Sequence, residues 1–148
     1  IEERSLWEAR RETNDFEIAV NPSFDAYDFL MDPLQMIPIR YHLPAFGLYG
    51  KWVETNGAEG VEPPAKIARL LELWNVIQAA QTKEERDAAA NEIVKLHTEN
   101  IWTIGTVGEA PAIHIAKNNL RNVPEGLVTS DVLRTPGNAE PWQFFFKD

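Results

Sequence analysis

The chain has no cysteine. Disulfides, thiol nucleophiles and cysteine-held zinc or iron–sulfur sites are therefore excluded. The absence is compatible with an oxidising compartment but does not place the protein in one. Basic residues are also scarce: 14 Lys and Arg stand against 23 Asp and Glu, for a formal charge of -9. Nucleic-acid binding needs clustered cations to neutralise phosphates, so no nucleic-acid partner is expected. No apolar run approaches the ~20 residues that cross a bilayer as a helix. GxGxxG and GxxxxGK[ST] are both missing, which removes the common phosphate cradles. "GEAPAIH" has nothing in common with a nucleophile elbow. The histidines, His42, His97 and His114, lie in separate segments without HExxH spacing, so neither a metal nor a cofactor is expected.

The chain does contain enough apolar residues for a core. It has 148 residues, 44% of them hydrophobic, which suits one ordinary domain. Residues 2–13 are rich in Glu, Arg, Leu and Ala and read as a helix that Asn14-Asp15 breaks. "FEIAV", Phe16 to Val20, is β-branched and reads as a strand ended by Asn21-Pro22-Ser23. Pro33, Pro38 and Pro44 forbid a long helix in the next stretch. Phe46 to Trp52 is aromatic and punctuated by glycine, and Asn56-Gly57 and Glu59-Gly60 mark turns, so Trp52 is expected in a loop.

The clearest signals belong to two helices. Pro63 and Pro64 stand at the entry of the first, and Ile67, Leu70, Leu71, Trp74 and Ile77 repeat on one face. "TKEE" at Thr82–Glu85 is a capping box for the second, whose buried stripe is Ala89, Ile93 and Leu96. The short link predicts an antiparallel hairpin with Glu72, Gln78, Glu84 and Glu92 outside. "IWTIGTVG", "AIHIA" and "PWQFFF" read as strands. The order is mixed α/β.

The residues point to binding rather than catalysis. Asp25, Asp28 and Asp32 do not meet the calcium-loop spacing, and acids are favoured at helix entry in any case. Asp25 follows a strand-ending turn, where binding residues gather in α/β folds. Periodicity assigns Trp7, Trp74 and Trp102 to packing. Trp52 lies off any stripe, either as a lid on the core or as a stacking platform. Tyr49 shares that ambiguity. His97, near a helix end, suits a cation. His114, alternating with Ile113 and Ile115, should face the opposite side of a strand.

Taken in order, "NDFEIAV", "GAEGVEPPAKIARLLELWNVIQAAQTKEERDAAANEIVKLHTENIWTIGTV", "KNNLRNVPEG" and "NAEPWQFFF" cover nearly all of the chain. In them it resembles the C-terminal part of the extracytoplasmic solute-binding proteins of peptide-type (family 5) ABC transporters. The resemblance implies the C-terminal lobe of a two-lobe, type II periplasmic-binding-protein fold, with the helical hairpin packed on a small sheet. Residues 1–103 would belong to the ligand-binding lobe. Residues 104–148 would carry the hinge crossover and the return strands toward an N-terminal lobe of the same protein. The implied function is capture of a peptide, oligosaccharide or opine and its delivery to a membrane permease, without catalysis. The implied location is periplasmic or cell-surface, in a longer exported protein. The resemblance makes Asp25 the match to an acid that holds a ligand amino group. It adds Asn21 at the strand end and places Trp52, Tyr49 and Phe46 near the cleft. The competing class is a carboxylate-dependent hydrolase using Asp25 with Asp28 or Asp32.

Overall fold

The structure, a computed structural model, describes residues 3–20, 29–41, 44–106, 113–130 and 132–147. It is mixed and about half helical, with a small antiparallel sheet. The helices are α1 (Arg4–Thr13), α2 (Gly47–Glu54), α3 (Ala65–Ala79) and α4 (Lys83–Asn100). The strands are β1 (Leu120–Arg121) and β2 (Phe145–Phe146). The described residues form two compact units. The first holds residues 3–20 and the described part of 33–104, and the second holds 29–32 and the described residues from 105 onward.

In the first unit, α3 and α4 form the expected antiparallel hairpin. Lys66 Nζ donates to Asn100 Oδ1 at 2.7 Å, joining the start of α3 to the end of α4. Arg69 forks onto Glu92, with Nε to Oε1 at 3.0 Å, and also reaches Glu72 at 2.8 Å. Glu92, expected on the outer face, thus spans the hairpin, and Arg69 holds its carboxyl below the usual range. The Thr82 hydroxyl accepts from the Glu85 amide at 3.2 Å. The Glu85 carboxylate turns back to the Gln81 amide, one residue before the position a capping box uses.

The hairpin buries Ile67, Leu70, Leu73 and Ile77 of α3 against Ala89 and Ile93 of α4. Leu71, Trp74 and Leu96, expected in this stripe, are only half-buried. Leu73 takes the inner place instead. Met36, Ile37 and Phe46 complete the core. They come from an irregular segment that begins with a short 3₁₀ turn at Pro33–Gln35. Proline rules out a regular element there, yet the Met36 and Ile37 amides still donate to Pro33 O, at 2.9 and 2.8 Å.

Both α1 and α2 close with the same device. Asn14 adopts the left-handed conformation, its amide donates to Arg11 O, and the Asp15 amide donates to Arg10 O. This is a Schellman closure, and asparagine tolerates the backbone it needs. Asn56 and Gly57 repeat it at the end of α2, donating to Val53 O and Trp52 O.

The strand expectations need correction. Residues 16–20, 101–106 and 113–117 form no ladder among the described residues. Their β-branched side chains are exposed, with Val20 at 92% and Ile115 at 96%. His114 does not alternate on a strand; its Nε2 lies 3.3 Å from the Thr129 hydroxyl. In the second unit β1 pairs with β2, Leu120 opposite Phe146 and Arg121 opposite Phe145. Strands therefore form within "PWQFFF", read as one, and within "KNNLRNVPEG", which the resemblance implies as a return strand. The two-residue ladder is extended by the Lys147 amide donating to Asn119 O and by Asn122 Nδ2 donating to Gln143 O.

Candidate functional site

Trp52 lies on α2, not in a loop. The helix was hidden because Gly47 and Gly50 read as breakers. Gly50 is needed for close approach: a Cβ there would sit 2.0 Å from Arg40 O. Tertiary contact thus overrides a poor local propensity. Pro44–Phe46 leads into the helix as a 3₁₀ turn.

The segment after α2 folds back alongside Trp52. The Gly57 amide donates to Trp52 O at 2.8 Å, and a Cβ at Gly57 would stand 3.5 Å from the indole. The Thr55 hydroxyl donates to Lys51 O at 2.8 Å and accepts from the Glu59 amide at 3.0 Å. Lys51 and Glu59 pair at 2.8 Å, which raises the Lys51 ammonium pKa and lowers that of the Glu59 carboxyl through their mutual hydrogen bond. Val61 N donates to Leu48 O at 3.1 Å. Gly60 lies so close to α2 that a Cβ would stand 2.3 Å from Leu48 O.

This arrangement makes Trp52 one wall of an open groove of about 670 Å³. The opposing contribution comes from α3, where Leu71 and Trp74 join it. Ile39 and Val53 add further apolar surface, and all five of these side chains are half-buried. Three amide side chains complete the lining: Asn56, Asn75 and Gln78, all exposed. Neither these amides nor the two indole N–H groups hydrogen-bond to any described residue. Among the described residues, none that lines the groove is ionisable. The groove is therefore lined by two indoles and three neutral amide side chains that can donate and accept.

The sequence-derived candidates fare differently. Trp52 lines the groove. Tyr49 is half-buried on α2 and does not line it. Phe46 is 2% exposed and belongs to the core. Asn21 and Asp25 lie outside the described residues, as do Asp28 and His42. Asp32 is half-buried and already has an interaction partner. Trp74 was missed as a site residue because its spacing fits the hairpin stripe. The signal was the width of that stripe. Residues 67, 70, 71, 74 and 77 cover more of α3 than one partner helix can bury.

His97 is a packing residue. Its ring stands edge-on to Trp102 and Phe46, with centroids 5.0 and 5.9 Å away. Nε2 donates to Met36 O at 2.8 Å. Burial pushes its pKa down, opposed only by the carbonyl bond. The helix-end cation expected at this position is thereby disfavoured.

A second concavity, about 870 Å³, runs along α1 and residues 16–20 and includes Trp7, Phe16 and Ile18. Its lining reaches Val20, the last residue described before position 29. Among the described residues no three His, Asp or Glu cluster to hold a metal, and no helix is long and apolar enough to cross a membrane. No family model matches the chain, and no curated protein matches it significantly.

Proposed function

We propose that the chain is the ligand-binding portion of a solute-binding protein of the peptide-type ABC importers, capturing a small solute unchanged and passing it to a membrane permease. The observation that carries this reading is the Trp52–Trp74 groove: two indoles and three free amides with no ionisable side chain among them. Stacking and neutral hydrogen bonds hold a ligand well. General acid–base work needs a carboxylate or imidazole in reach of the ligand, and the described residues that line the groove supply neither. This favours capture over the carboxylate-dependent hydrolase reading. The ordered resemblance along the chain supports the type II lobe, an exported location and a second lobe closing on this one. The exposed β-branched residues Ile18, Val20, Ile104, Ile113 and Ile115 fit segments that meet further protein surface.

Isothermal titration with a panel of small peptides, oligosaccharides and opines, followed by recovery of the ligand, tests the reading. Saturable binding with chemically intact ligand is expected. A ligand that returns cleaved would replace capture with hydrolysis.

A further inference from the structure

Building on that reading, we infer that the ligand of the Trp52–Trp74 groove is a neutral saccharide rather than a peptide with charged ends. Charge decides first. A free peptide carries an ammonium and a carboxylate, and enclosing either against apolar walls without a partner is costly. Half-buried indole, leucine, isoleucine and valine line the groove, and none of the described residues that line it carries a charge. Lys51 is close in sequence but its ammonium is engaged by Glu59 at 2.8 Å.

Shape and hydrogen bonding decide next. A pyranose ring shows apolar C–H faces that stack on an indole, and its rim carries hydroxyls that both donate and accept. An amide side chain matches a hydroxyl in both senses, whereas a carboxylate only accepts and an ammonium only donates. Asn56, Asn75 and Gln78 provide three such amides. The Trp52 backbone is held by the Gly57 amide in the closure at the end of α2.

The test titrates the 148-residue chain with three probes: a neutral β-glucan tetrasaccharide, tetra-alanine with free termini, and the same peptide acetylated and amidated. The saccharide is expected to bind and the free-ended peptide is not. Gln78→Ala and Asn75→Ala, both at exposed positions that spare the fold, are expected to weaken saccharide binding about threefold each. Trp74→Ala is expected to weaken it about tenfold, with Trp74→Phe, which keeps an aromatic face, weaker by less. Tighter binding of the free-ended peptide would overturn the saccharide assignment and leave capture standing. Binding of the capped peptide alone would also overturn it. Saccharide binding that none of the four variants alters would remove it from the groove. Failure of all three probes would remove both this inference and solute capture in the groove.

Discussion

Replacing Gly50 with alanine sets two physical effects of opposite sign against each other. Gly50 sits inside α2, where local propensity alone favours alanine by about 0.5–1 kcal/mol. Its surroundings oppose the change. The added methyl would lie 2.0 Å from Arg40 O, 2.2 Å from Arg40 C and 2.8 Å from Tyr41 N. All three are backbone atoms, so no rotamer change relieves the clash. Either α2 or the 39–41 segment must move, and both line or flank the groove through Ile39, Trp52 and Val53. Overpacking costs about 1–3 kcal/mol, and more when backbone must shift. The net expectation is destabilisation of about 2 kcal/mol. Urea unfolding followed by helical circular dichroism measures it, with an unchanged m-value marking a stability effect. At about 2–4 °C per kcal/mol for a chain of this size, the melting temperature falls by about 4–8 °C. A Gly50→Ala protein as stable as the parent, or more stable, would refute the close approach of α2 to Arg40 and with it the placement of Trp52.

Three further outcomes follow from the helices and their ends. Thr82→Ala removes the hydroxyl that caps α4 and should cost about 1 kcal/mol in urea unfolding, with Thr82→Ser nearly neutral. Ile101 ends α4 at φ 49 with its side chain 66% exposed; Ile101→Gly relieves left-handed strain and should raise stability by about 1 kcal/mol, where a loss would contradict the strain. His97 has a folded-state pKa below its unfolded value of about 6.5, because burial between Phe46 and Trp102 disfavours the imidazolium. The unfolded chain then binds the proton more readily, so stability declines as pH falls below about 6.5 and levels off below the folded value. His97→Gln should flatten that part of the urea-midpoint profile, while an unchanged profile would mean that another group titrates.

The helical hairpin was legible because its signals are local. A hydroxyl cap, a double proline and a 3.6-residue stripe each act within a few turns, and all three appear at α3 and α4. α2 was illegible because Gly50 serves a close approach to the Arg40 backbone, a contact outside the helix. Propensity records the cost of such glycines and not their cause. The β-branched runs misled for the opposite reason. Residues 16–20 and 113–117 have strand composition, but a strand exists only where a partner pairs with it, and none does among the described residues. Of the site, the Trp52 wall could be anticipated from an aromatic off any stripe. Trp74 could not, because one spacing serves both a core and the rim beside it. His97 shows the same limit: a helix-end position favours a cation, but contact with Met36 O and two aromatic rings makes burial the larger effect.

The most direct measurement of solute capture by this groove follows the indole N–H resonances of the five tryptophans during titration with a β-glucan tetrasaccharide. Trp52 and Trp74 should shift together and saturate, while Trp7, Trp102 and the 74% exposed Trp142 stay in place. Saturating shifts at Trp7 or Trp142, with Trp52 and Trp74 unmoved, would contradict the site.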